Sequence, residues 1–144
     1  TKPLVYGGNI INDFVLKFEK GRIVDFSAKE GEETLRHLIE TDEGSHYLGE
    51  IALVPYSSPI SDTNTVFYNT LYDENASCHF AIGSAYSSCI EGGNDIAEED
   101  FDKYGINDSL THVDFMVGSA DLDIVGITHD REEIQIFKDG NWAF

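Results

Sequence analysis

Leu48-Gly49-Glu50-Ile51-Ala52-Leu53-Val54-Pro55 reads as a buried strand from Tyr47 to Val54, ended by proline and carrying one charge, Glu50. Beyond the loop that follows lies a second charged stretch, Asp73-Glu74-Asn75-Ala76-Ser77-Cys78-His79, and Tyr86 closes the region. Carboxylates and an imidazole among strand-forming apolar residues are poor core material, because an ionised carboxylate is costly to bury without a compensating partner. Between Arg36 and Lys103 the sequence has no Lys or Arg to act as that partner. A bound metal ion is the natural candidate for the missing positive charge.

Working outward toward the amino end, the pattern is β with one helix. Leu4, Val5 and Tyr6 lead into Gly7-Gly8, and Phe14 to Phe18 alternate with polar neighbours. A turn at Lys20-Gly21 returns the chain through Ile23, Val24 and Phe26, a hairpin signature. Ser27 with Glu30 resembles a capping box, and Leu35, Leu38 and Ile39 recur at helical spacing before Gly44. His37 and His46 flank this helix without an acidic partner at ligand spacing, so both are expected at the surface.

Toward the carboxyl end, Val66, Phe67, Thr70 and Leu71 suggest a short helix ending near Glu74. Cys78 to Ala85 forms a strand with His79, Ala81 and Gly83 on one face, where small residues leave room beside the imidazole. Asp95 to Tyr104 reads as a helix with acidic residues at its start and Gly105 past its end. Its run of Glu98, Glu99, Asp100 and Asp102 is a solvated face. Strands then recur at His112 to Val117, Leu122 to Thr128 and Ile134 to Phe137. The expected fold is α+β: a mixed, largely antiparallel sheet with a few short helices in a single compact domain.

At 144 residues, 41% hydrophobic and 12% aromatic, the chain is large enough to bury one core. A formal net charge of -18 argues against nucleic acid or an anionic membrane as partner, and favours cationic ligands such as metals or a substrate ammonium. Cys78 and Cys89 do not make a disulfide framework, so reduced thiols and a cytoplasmic location are expected. Asn75-Ala76-Ser77 and Asn107-Asp108-Ser109 are then chance matches to the glycosylation sequon. With Met116 the one methionine, Thr1 is not a translation start, and the chain is expected to be a cut piece of a longer one.

A third cluster lies in Thr111-His112-Val113-Asp114-Phe115-Met116-Val117-Gly118. On a strand, His112 and Asp114 share a face while Val113 and Phe115 turn to the core. A His-x-Asp pair alone is a weak signal, more often a hydrogen bond than a metal site. Joined with Glu50, Glu74 and His79 it gives three carboxylates and two imidazoles, a donor set suited to zinc, cobalt or manganese rather than calcium or magnesium.

In order, spacing and local context, the Leu48–Pro55 run, the Asp73–His79 element, Tyr86 and His112-Val113-Asp114-Phe115-Met116 closely resemble the thermophilic-type metallo-aminopeptidases, the family of aminopeptidase T, aminopeptidase S and PepS. The resemblance spans essentially the whole chain. It implies a carboxy-terminal catalytic domain, residues 1–144, in which two divalent ions, zinc or cobalt, lie side by side. Glu50 corresponds to the carboxylate bridging them, and Glu74, His79, His112 and Asp114 to further ligands. Tyr86 matches an active-site tyrosine whose hydroxyl stabilises the tetrahedral intermediate. The implied partner is a peptide with a free amino terminus, and the implied assembly a homodimer.

The same resemblance sets the large amino-terminal domain, a further metal ligand and the general base upstream of Thr1. The chain alone is therefore expected to fold with an incomplete site and negligible peptidase activity. The competing expectation is a metal-free assembly or dimerisation module with a vestigial acidic pocket. Retention of all five donors weighs against it.

Overall fold

A computed structural model describes residues 1–144. Its strands pair antiparallel throughout and are divided among four small sheets. Two hairpins open the chain: β1 (Leu4–Tyr6) with β2 (Asn9–Ile11), and β3 (Val15–Glu19) with β4 (Arg22–Ser27). Helix α1 (Glu32–Ile39) follows and buries Leu35, Leu38 and Ile39, the stripe its sequence spacing predicts. The central sheet has the order β5 (Leu48–Ala52), β6 (His79–Gly83), β7 (His112–Met116). The single turns α2 (Thr70–Asp73) and α3 (Phe101–Tyr104) lie in the connections. A last sheet joins β8 (Ile124–Ile127), β9 (Glu133–Lys138) and β10 (Asn141–Trp142).

The two faces of the central sheet have different occupants. Ile82, Val113 and Phe115 turn to the core, where they pack with Leu4, Ile11, Phe14, Leu35 and Leu38. Phe14 and Phe115 meet edge to face with ring centroids 5.5 Å apart. Burying each such side chain contributes about 1.5–3 kcal/mol, which anchors the sheet on this side. The opposite face carries the polar residues.

Three local expectations are corrected. Ser27 and Glu30 form no capping box: Glu30 bridges to Asn12, Gly31 takes the N-cap position without a side-chain cap, and α1 ends before Gly44, which opens a separate 3-10 turn. The helix expected over Asp95–Tyr104 is broken into 3-10 turns and the single turn α3, since no apolar stripe long enough to hold a helix runs through it. The strand expected to be buried from Tyr47 to Val54 is the edge of its sheet, paired with β6 and otherwise joined only to Arg22 through an isolated bridge at Tyr47, and Ile51 is 69% exposed.

Candidate metal centre

Register brings the polar residues together. Across the central sheet Glu50 pairs with Ala81 and Ala81 with Asp114, so a buried alanine separates two carboxylates in one row. The adjacent pairs place His79 opposite Met116 and His112 opposite Gly83 on the same face. Small residues on β6 keep this face open between its acidic flanks.

Glu50 stands between both imidazoles, with Oε1 3.2 Å from His79 Nε2 and Oε2 3.6 Å from His112 Nε2. Asp114 Oδ1 is 3.4 Å from His112 Nε2. One donor atom each from Glu50, His79 and Asp114 lies within 4.8 Å of the others, close enough that small side-chain rotations would bring all three onto a single ion with bonds of about 2.0–2.2 Å. Glu74 reaches the group from the turn after α2. A cavity of about 240 Å³ is lined by Glu50, Leu71, Glu74, Tyr86, His112 and Asp114.

Both histidines are turned for metal binding by their outer nitrogens. His79 Nδ1 lies 3.1 Å from the Ser77 carbonyl and His112 Nδ1 lies 2.6 Å from the Ser84 carbonyl. A carbonyl only accepts, so each Nδ1 carries a proton, which leaves Nε2 as the ring atom that faces the carboxylates. Two glycines make the His112 anchor possible. Gly83 turns the chain at φ 102°, and a Cβ on Gly49 would overlap the carbonyl oxygens of Gly83 and Ser84.

No Lys or Arg pairs with Glu50, Glu74 or Asp114; Glu50 lies against both histidines, Asp114 against His112, and Glu74 has no ion-pair partner. Burial first and the neighbouring Asp114 carboxylate second push the Glu74 carboxyl up to about 7, with Glu50 adding less than His79 takes away. The Tyr86 ring packs 4.8 Å from that of His112, and burial followed by the charges of Asp114, Glu50 and Glu74 raises its hydroxyl above the ordinary tyrosine range. This clustering of carboxylates that lack a Lys or Arg partner around two Nε2 atoms fits a divalent cation.

The family model described as thermophilic metalloprotease (M29) matches residues 1–142. The chain belongs to this family. It is 64% identical over 144 residues to aminopeptidase AmpS of Bacillus subtilis, covering 100% of this chain and 35% of that protein. It is 44% identical over 143 residues to aminopeptidase T of Thermus thermophilus, covering 99% of this chain and 35% of that protein. The solved structure of wild-type AmpT from Thermus thermophilus superposes with a TM-score of 0.91 at 44% identity, over 100% of this chain and 35% of that one. The chain thus spans about a third of the length of the curated relatives it matches.

Of the residues singled out in the sequence, the fold gathers Glu50, Glu74, Tyr86, His112 and Asp114 around one opening, with His79 buried behind it against Glu50. His37 and His46 lie elsewhere: His37 is exposed beside Glu33 at 3.5 Å, and His46 sits in the 3-10 turn before β5 with Nδ1 buried and unpartnered. Asp73, next to Glu74, turns the other way and accepts from the amides of Phe67 and Asn69 at 2.8 and 3.1 Å. Sequence reasoning passed over Ser77, Ser84 and Gly49, whose parts are played by backbone carbonyls and by an absent side chain. The one available signal was glycine immediately before the charged residue of β5.

Proposed function

We propose that this chain is the carboxy-terminal metal-binding domain of a metallo-aminopeptidase that removes amino-terminal residues from peptides. Glu50, Glu74, His79, His112 and Asp114 are the residues that would hold two divalent ions, zinc or cobalt, with Glu50 as the shared carboxylate. When bound, such a pair lowers the pKa of a water and polarises the scissile carbonyl. The carboxylates draw in the substrate's terminal ammonium. Tyr86 stays protonated beside them and offers its hydroxyl to the oxygen that becomes negative as the carbonyl is attacked. A further ligand and the general base belong to the remaining length of the enzyme, so the 144-residue chain alone has negligible peptidase activity. A cytoplasmic homodimer belongs to the same reading, supported by free Cys78 and Cys89 and by apolar side chains such as Ile51, Leu71 and Ile127 left at the surface. No helix is long and apolar enough to cross a membrane.

The observation that carries the proposal is the Glu50 carboxylate set between two imidazoles whose outer nitrogens are tied to backbone carbonyls. The test is calorimetric titration of the chelator-stripped chain with zinc and cobalt, beside Glu50→Ala and His79→Ala. Saturable binding lost in both variants supports the ligand set. Binding unchanged in either one removes that residue from it. If the folded chain binds neither metal, the titration is repeated with the upstream segment restored, and continued absence of binding overturns the metal reading.

A further inference from the structure

Asn107 lies in the connection between α3 and β7, outside the donor set, and holds the chain on both sides of Ser84. Its side-chain amide donates to the Gly83 carbonyl at 2.6 Å and to the Gly44 carbonyl at 2.9 Å. Its own backbone carbonyl accepts from the Ala85 amide at 2.8 Å. Between these grips, the Ser84 amide donates to the Thr111 carbonyl at 2.7 Å, and the Ser84 carbonyl accepts the Nδ1 proton of His112. The residue facing His112 is therefore pinned before, at and after its own position.

We infer that Asn107 is a positioning residue which, through the Ser84 carbonyl, fixes the tautomer and ring direction of His112 so that Nε2 faces Glu50 and Asp114. The inference rests on the proposed metal site for what the imidazole is used for, and on the hydrogen bonds alone for how it is held. Asparagine suits the task because its two amide protons serve two carbonyls at once, whereas an ionised aspartate has none to give. It also gives the Asn107-Asp108-Ser109 triplet a structural role, with the amide nitrogen engaged on both protons. His79 has a separate anchor in the Ser77 carbonyl and provides an internal control.

The test is long-range proton–nitrogen correlation spectroscopy of the metal-free full chain at about pH 8.5, roughly two units above the ordinary imidazole value of model peptides. His112 in the wild type is expected to carry its proton on Nδ1. Asn107→Ala should give a mixture of tautomers at His112 with His79 unchanged, and Asn107→Ser, which keeps one donor, should lie closer to the wild type. Cobalt affinity should fall roughly tenfold in Asn107→Ala. Asn141→Ala removes another asparagine that links two segments, accepting from Ser57 and donating to Asp139, and should lower the melting temperature without moving His112. A wild-type His112 protonated on Nε2 overturns the inference even if no variant folds. So does an unchanged His112 tautomer in folded Asn107→Ala. A variant-sensitive tautomer in a chain that never binds cobalt, even with the upstream segment restored, defeats the metal reading and leaves the positioning role standing.

Discussion

Glu74 and Asp114 line the same cavity, and no Lys or Arg pairs with either. The Glu74 carboxyl is raised from 4.5 to about 7, so between those values the folded chain keeps a proton that the unfolded chain has released. Stability of the metal-free protein therefore falls as pH rises through this window, because the unfolded state binds fewer protons there. The melting temperature of the chelator-stripped chain should be higher near pH 5.5 than near pH 7.5, and Glu74→Gln should flatten the dependence. A wild-type melting temperature that is flat or rising between the two would exclude this account. A cation displaces the same proton, so zinc titrations in buffers of different ionisation heat should report proton release that Glu74→Gln reduces.

Gly49 is expected to be intolerant of even one added carbon. A Cβ there would overlap the backbone oxygens of Gly83 and Ser84, which have no flexible end to move aside. Gly49→Ala should cost about 1–3 kcal/mol in urea unfolding, as overpacked sites do. It should also weaken cobalt binding, because the displaced Ser84 carbonyl is the anchor of His112. Loss of stability with unchanged cobalt affinity would separate the glycine from the site.

These residues also mark how far the sequence could be read. Same-face spacing was legible from strand alternation, which set His79, Ala81 and Gly83 on one face of β6 and His112 and Asp114 on one face of β7, while the register that joins the two faces was not. The order of the strands was not legible, and that order leaves Ile51 on an edge. Local charge could not separate Asp73 from Glu74, although one serves a loop and the other the cavity. The holders of the imidazoles escaped notice for a physical reason: Ser77 and Ser84 act through carbonyls that every residue has, and Asn107 acts through contacts distant in sequence.

Asp42 supplies a clamp far from the cavity. Its Oδ1 accepts from the Ser45 amide and the Ser109 hydroxyl, both at 2.8 Å, and its Oδ2 accepts from the Leu110 amide at 2.6 Å, tying the end of α1 to the approach to β7. The Leu110 hydrogen bond is the main cause holding its carboxyl below the ordinary value of 3.8. The stabilisation is present above that value and is lost as pH falls through the lower folded value. Asp42→Asn turns an amide donor toward Leu110 or gives up one of the other bonds, and should cost about 1–3 kcal/mol near neutral pH. The gap between wild type and variant in urea midpoint should narrow once pH drops below 3.8. A gap of equal size at both ends would assign the effect to shape instead of charge.

Tyr86 is 56% exposed, yet its ring stays against His112 and its hydroxyl stays protonated beside three carboxylates. Phenylalanine keeps the ring contact and removes only the donor, so Tyr86→Phe tests the hydroxyl in isolation. On the proposed peptidase reading, and with the upstream segment restored, kcat on an aminoacyl anilide should fall by about 10²-fold, the scale of losing one oxyanion donor. KM should change little if the bond forms only as charge develops on the carbonyl oxygen. A rise in KM with kcat preserved would make Tyr86 a substrate-binding surface. No change in either would make its ring packing against His112 its whole contribution.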